Sequence, residues 1–354
     1  MHDCDCRQLE AASPLPDALL VRGSSPHALH HIALAWPNLA ARGDAWELLP
    51  TDFGALKALW SQLSPTLRAE VQVAPMVAGE VQFWETASLE AWRTRLDSPW
   101  FAQAAKRLFF ELQPVVDLAR WEVFGREALV RAEWAGRVFG AGELLRAARA
   151  HGQLRAFDAR ARIGAIEQAY QDLGPSESLL INFAPGVVYH PRTCLATTFA
   201  ACRTAGADFS RLVFEVTESE AFPDLTLLRA ILDEYRAHGA RVALDDLGAG
   251  HTSLLYLREL QPDLVKLDRG LIAGLHARDP RFALVGALIE YAHSLGVRVV
   301  AEGVESLSEL ALVMQLGADF GQGYALARPS RRPDAIDWRA VRNAALAAPI
   351  KERS

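Results

Sequence analysis

Val242-Ala243-Leu244-Asp245-Asp246-Leu247-Gly248 is a short apolar run stopped by two adjacent carboxylates and a glycine. The same plan recurs on both sides of it. The stretches 179–183, 212–216, 264–267 and 297–301 are β-branched or apolar runs of strand length. Helix-like stretches lie between them, at 156–173, 225–238, 281–295 and 307–316. Strand-length runs alternating with helices over about 230 residues predict a parallel sheet, and that size suits a closed (β/α)8 barrel. An open doubly wound sheet is the rival arrangement. No short-period repeat of solenoid type is present.

Each run ends on a polar residue. Glu127 follows Val123-Phe124-Gly125, Asn182 closes Leu-Leu-Ile-Asn, Glu215 follows Leu-Val-Phe, and Glu302 follows Val-Val-Ala; Lys266 lies within Leu-Val-Lys-Leu-Asp. Taken singly, each is as readily a helix cap or a strand-end ion pair. In a barrel, however, they converge on the face where active sites are built. Glu127, Glu215, Asp245, Asp246 and Glu302 then crowd five carboxylates around the single ammonium of Lys266. Such crowding raises carboxylate pKa values unless cations compensate. Two divalent ions balance the surplus. Carboxylates with one amide carbonyl are hard oxygen ligands, suited to Mg²⁺ or Mn²⁺. A pair of such ions is the usual clamp for displacement at phosphorus, so the pattern points to metal-dependent phosphoester hydrolysis.

At these residues the chain resembles the EAL-domain cyclic di-GMP phosphodiesterases. The resemblance is carried in order by Gln113-Pro114-Val115-Val116-Asp117, Glu127-Ala128-Leu129, Ile181-Asn182, and Phe214-Glu215-Val216-Thr217-Glu218-Ser219. It continues through Asp245-Asp246-Leu247-Gly248-Ala249-Gly250, Asp263-Leu264-Val265-Lys266-Leu267-Asp268, Ala301-Glu302-Gly303-Val304-Glu305 and Gln322-Gly323-Tyr324, so it covers roughly 109–340. It implies a modified (β/α)8 barrel that hydrolyses one phosphodiester bond of cyclic di-GMP to give linear 5′-pGpG. By the same resemblance, Glu127, Asn182, Glu215 and Asp245 are ligands of one of two Mg²⁺ or Mn²⁺ ions, and Asp245 and Asp246 hold the second. Lys266 orients and activates the attacking water, Glu302 acts near the second ion, and Gln322 lies beside the water. Gln113, Leu129 and Arg131 contact the nucleotide, with Arg131 on a phosphate. Glu218 and Glu305 are support residues, Glu218 for the loop after the paired aspartates. A homodimer through the barrel is expected. The bland readings are an ion pair of Lys266 with Asp268 and of Arg131 with Glu133.

The chain departs from the family in that loop, where Phe, Thr and Tyr are replaced by Leu247, Ala249 and His251. After Arg131, Ala132-Glu133-Trp134-Ala135-Gly136 also differs, with Glu133 expected to face solvent. These departures keep open an alternative, a catalytically inactive cyclic di-GMP receptor or protein-interaction scaffold.

The remainder is read as a smaller N-terminal α/β regulatory or accessory domain at 1–105, ahead of the barrel at 106–345. Residues 1–25 read as loose, 53–63 as helical and 70–73 as a strand. Leu89, Trp92, Leu96, Trp100 and Ala104 predict one amphipathic connecting helix over 88–108. Cys4 and Cys6 read as a reduced tail rather than a metal site, and His30-His31 as packing or surface. Apolar residues at 51% and charged residues at 23% support a packed core, and a net charge of −6 offers no pull toward polymeric nucleic acid. Four cysteines do not suggest a disulfide scaffold, and no run of about 20 apolar residues points to membrane insertion. A cytoplasmic location is the expectation.

Overall fold

The computed structural model describes residues 16–36, 41–188, 190–217, 224–248, 253–333 and 335–348. Cys4, Cys6, Glu218, Ala249 and His251 therefore lie outside the described residues. The chain packs as two compact units, one drawn from Gln8–Arg107 and Ala132–Phe157, the other chiefly from Leu108–Arg131 and Asp158–Ser354.

The first unit is built on an antiparallel sheet. Its strands run in the order Ala41–Arg42, Ala45–Leu48, Ala18–Gly23, Val71–Val77 and Glu80–Val81, and Ala87–Ser88 also pairs with Val71–Val77. Helices Pro26–Ala35, Phe53–Gln62 and Leu89–Asp97 bury Ile32, Leu56, Leu59 and Trp92 against Leu19, Val21, Leu48 and Val73. Ser25 and Ser88 cap two of these helices by accepting from Ala28 N and Ala91 N.

Two expectations are corrected here. The stretch read as loose contains Ala18–Gly23, which lies between Ala45–Leu48 and Val71–Val77 with Leu19 and Val21 fully buried. Nor is there one helix over 88–108. The first piece ends at Asp97 and a second, Phe101–Ala104, begins after Ser98-Pro99. Proline lacks the N–H that the helix ladder needs and pushes the residue before it out of the α region. Ser98, at φ −123° and ψ 48°, shows that displacement.

The second unit is a closed eight-stranded barrel. In chain order its strands are β1 (Leu108–Asp117), β2 (Glu122–Trp134), β3 (Ser178–Phe183), β4 (Leu212–Thr217), β5 (Arg241–Leu247), β6 (Leu264–Leu267), β7 (Arg298–Ala301) and β8 (Phe320–Gly321). From β2 through β3 to β8 all pairs are parallel. Strand β1 closes the circle by running antiparallel to β8 and lying beside β2. The parallel strands are separated by helices, including Leu154–Ala169, Pro191–Ala205, Leu225–Ala237, Pro280–Ser294 and Leu307–Gln315.

One apolar tier fills the interior. Val115, Leu180, Val213, Ala243, Leu264, Val300 and Phe320 pack together with Phe124 against them, one residue from each strand. Side chains on one face of a strand recur every second residue. The next inward positions toward the strand C-termini are therefore Asn182, Glu215, Asp245, Lys266, Glu302 and Gln322. On β1, which runs the other way, the equivalent is Gln113. The polar site is thus the core's own face, one pleat higher.

Candidate functional site

Lys266 stands at the centre of this upper tier. It is 1% exposed, and its Nζ lies 2.6 Å from Glu302 Oε1, 3.0 Å from Glu215 Oε1, 3.2 Å from Glu127 Oε2 and 3.5 Å from Asp245 Oδ1. The rival pairing with Asp268 does not occur, because the Asp268 carboxylate instead accepts from Gly270 N at 2.8 Å. Glu127 enters from the interior of a long strand, not from its end, and stands opposite Leu180. It is gripped from three sides. Asn182 Nδ2 donates to its Oε1 at 2.6 Å, and Gln322 Nε2 to its Oε2 at 2.8 Å, beside Lys266. Gln113 adjoins this group: Gln322 Nε2 reaches its Oε1 at 3.5 Å, and its own Nε2 donates to Ala327 O at 3.1 Å.

The charges respond to this crowding. Burial pushes Glu127 up, but Lys266, Gln322 and Asn182 outweigh it and hold the carboxyl below its ordinary range. Glu215 has less of that support, with Asn182 Nδ2 reaching its Oε2 at 3.4 Å, so burial, reinforced by Glu127, Asp245 and Glu302, drives it well above the usual range against the pull of Lys266. Asp245 and Glu302 are raised by burial and by neighbouring carboxylates. Burial, Asp245 and Asp268 push Asp246 up to about 6. Burial disfavours the Lys266 ammonium, yet the carboxylates around it push its pKa well above the ordinary lysine value. One ammonium does not balance this set.

The residues fit a hard cation. Asp245, Asp246 and Glu302 each offer an oxygen, and these atoms lie within 4.8 Å of one another. Glu215 Oε1 and Gln322 Oε1 are buried acceptors with no hydrogen-bond donor; Glu215 Oε1 is near the Lys266 ammonium without the alignment for a hydrogen bond. Asp246 takes φ +60°, a left-handed conformation uncommon outside glycine, and its N–H donates to Asp245 Oδ1 at 2.9 Å. This conformation sets two consecutive carboxylates to work on one site.

The other expected residues are placed less centrally. Leu129 is half-buried, two residues beyond Glu127 on β2. Arg131 pairs with Glu111 at 2.8 Å and donates to Val130 O, not to Glu133, which is exposed. Glu305 sits at the mouth, where its Oε1 receives Arg269 Nη2 at 2.6 Å and Nε at 3.1 Å. A cleft of about 370 Å³ opens over the tier, walled by Gln113, Glu127, Glu302, Glu305, Arg269 and Tyr324 among others. Arg269 and Tyr324 were not singled out as functional in the sequence. Arg269 follows the end of β6 by two residues, and that strand-end position was the available signal.

The EAL-domain family model matches residues 100–329. The bifunctional diguanylate cyclase/cyclic di-GMP phosphodiesterase MucR of Pseudomonas aeruginosa is 38% identical over 120 residues, which is 34% of this chain and 18% of that protein. The chain thus matches less than a fifth of that relative's length. A solved structure of the PaMucR phosphodiesterase in complex with c-di-GMP is similar at TM-score 0.57 and 29% identity, covering 63% of this chain and 97% of that one. A standalone EAL protein of Vibrio cholerae O395, solved in its c-di-GMP-bound form, is similar at TM-score 0.55 and 32% identity, over 63% of this chain and 92% of that one. Among the described residues no helix is long and apolar enough to cross a membrane.

Proposed function

Because this chain belongs to the EAL-domain family, we propose that it hydrolyses one phosphodiester bond of cyclic di-GMP, releasing linear 5′-pGpG. The observation that carries this reading is the complete polar tier: Glu127, Asn182, Glu215, Asp245 and Glu302 ring Lys266 on one face of one barrel.

Glu127, Asn182, Glu215 and Asp245 would hold one Mg²⁺ or Mn²⁺, and Asp245 with Asp246, near Glu302, a second. When bound, such ions act as Lewis acids toward phosphate oxygens and lower the pKa of water. The chain's own groups do the rest. Lys266 donates to the attacking water and orients it, while its charge offsets the carboxylates around it. In this reading Glu302 accepts the water's proton. Oxygen then adds to phosphorus, the bond from phosphorus to the 3′ oxygen breaks, and that oxygen takes a proton from solvent water, while Glu302 returns its own proton to solvent. Gln322 positions the water through its amide, and Gln113 and Leu129 face a guanine. Arg131 takes a phosphate, exchanging its bond to Glu111 for one to the ligand.

The N-terminal unit is an accessory or regulatory domain in this proposal, and the protein is a cytoplasmic homodimer. Leu254, Leu255 and Leu284, each about half exposed, supply apolar surface for such a contact. The replaced residues around Leu247 sustain a second reading, a receptor that binds cyclic di-GMP without cleaving it. One assay separates the two. Purified protein is incubated with cyclic di-GMP and Mg²⁺ or Mn²⁺, and products are resolved by chromatography. Accumulation of pGpG supports the enzyme. Saturable binding with no product replaces it by the receptor, and absence of both overturns the reading.

A further inference from the structure

Away from the ions proposed above, the cleft over the site offers little to hold an anion. Its charged lining consists of Glu127, Glu302, Glu305 and one cation, Arg269. Of the other cations nearby, Lys266 is shut beneath the surface among four carboxylates, Arg131 is the residue already assigned to a phosphate and is held by Glu111 and Val130 O, and Arg328 lies over the Tyr324 ring at 4.2 Å rather than in the lining of the cleft. Arg269 is committed far more lightly. Its Nε and Nη2 both donate to the single oxygen Glu305 Oε1, and its side chain is 64% exposed. Among the described residues its Nη1 has no acceptor. Exposed ion pairs of this kind are weak and easily exchanged.

The backbone is shaped around this side chain. Gly303 takes φ +63°, and a Cβ there would come within 2.3 Å of Arg269 Cγ and 2.6 Å of its Cβ. The missing side chain leaves room for the arginine stem across the mouth. The turn that carries it is braced from below. Asp268 accepts from Gly270 N, and Arg281 Nη1 donates to Gly270 O at 2.7 Å and Ala273 O at 3.1 Å. Thus the stem is fixed while the guanidinium is restrained by one solvent-exposed carboxylate.

Resting on the proposed function above, we infer that Arg269 is a substrate-binding residue: it grips the phosphate of the cyclic dinucleotide that is not being cleaved, released to it by Glu305. A cyclic dinucleotide carries two phosphodiesters. The one to be broken must descend to the tier of Lys266, leaving the other at the rim among carboxylates. A forked guanidinium suits such an oxyanion because it offers several donors in one plane.

The test compares wild type with Arg269→Gln and Arg269→Lys by steady-state kinetics on cyclic di-GMP and on bis(p-nitrophenyl) phosphate, which has one phosphodiester. Equilibrium binding of cyclic di-GMP in Ca²⁺ supplies a readout without turnover. Loss of a charge-assisted contact predicts that Arg269→Gln raises KM and Kd for cyclic di-GMP about tenfold or more. The fall in kcat is smaller, the KM for the single phosphodiester rises much less, and Arg269→Lys recovers part of the affinity. Unchanged KM and Kd in Arg269→Gln, or equal rises for both substrates, overturn the inference while the proposed function stands. A wild-type protein that neither binds nor cleaves cyclic di-GMP overturns both, and is recognised before any variant is compared.

Discussion

Lys266 Nζ lies 2.6 Å from Glu302 Oε1, the shortest of its four carboxylate contacts. The pair joins β6 to the residue just after β7, at the mouth of the barrel. An ammonium held there offsets only part of the charge around it and, in the proposed reaction, presents a donor to the attacking water.

Replacing Lys266 by methionine should therefore separate turnover from affinity. Its contribution grows as charge develops on the attacking oxygen, so the loss belongs to the transition state. kcat is expected to fall about a hundredfold or more, with a much smaller change in Kd for cyclic di-GMP. If Kd rises while kcat holds, Lys266 binds substrate instead.

Glu127→Ala removes the carboxylate that collects Asn182, Gln322 and Lys266. Hydrolysis should drop below detection, while circular dichroism still reports a folded barrel, because the apolar tier of Val115, Leu180, Val213 and their neighbours is untouched. Full activity in this variant would contradict the assignment of the whole tier.

Much of the barrel was legible because its two decisive layers share one period. Val213 and Glu215, or Leu264 and Lys266, are two residues apart, so an apolar run capped by a polar residue already encodes a core with a site above it. Less legible were relationships set by distant strands. Arg131 passes over Glu133, its neighbour in sequence, for Glu111 on the adjoining strand. Nothing in the local spacing names that partner. Arg269 was not legible because Lys266, three residues before it, already supplied the polar residue of that strand. The Ser98-Pro99 break was written in the sequence, but the apolar spacing of Trp92, Leu96, Trp100 and Ala104 spoke for an uninterrupted helix. Ala18–Gly23 was hidden by the Pro- and Ser-rich residues on either side of it.

In the N-terminal unit His151 ties two segments together. Its ring stacks on Phe101 at 5.4 Å, and its Nε2 lies 3.0 Å from Ser98 O. Burial, with Arg95 nearby, holds its pKa below 6.5, although Ser98 O acts in the other direction. A histidine depressed by folding favours the native state when neutral, so its contribution is complete above the unfolded value of about 6.5 and is lost as pH falls through the lower folded value. Thermal unfolding should show wild type losing stability below pH 6.5, with a shallower slope in His151→Gln. Parallel pH profiles would remove His151 from this role.

Metal identity offers an independent check. Ca²⁺ prefers longer bonds and more ligands than Mg²⁺, which misplaces a water aligned by Lys266. Mg²⁺ or Mn²⁺ should support turnover and raise the thermal midpoint through binding to the native state. Ca²⁺ should raise the midpoint but leave turnover low. Equal turnover in Ca²⁺ and Mg²⁺ would argue against a tight two-ion site.

Gly248 tests whether the turn after the paired aspartates governs metal occupancy. It follows Leu247 at the end of β5 and takes φ +105°, and a Cβ there would come within 2.5 Å of Leu271 Cδ1. Alanine at this position must move the backbone or displace Leu271, at a cost of about 1–3 kcal/mol. Asp245 and Asp246 lie immediately upstream, so the displacement is transmitted to the carboxylates that would hold the ions. If about 1.4 kcal/mol of that strain opposes the metal-bound geometry, Gly248→Ala needs about tenfold more Mg²⁺ for half-maximal activity. Adding Leu271→Ala removes the steric part of the strain and leaves the dihedral part, so the double variant should titrate between Gly248→Ala and wild type. Activity measured across a Mg²⁺ series for the three proteins decides the matter. Three coincident curves would show that strain at Gly248 does not control metal occupancy.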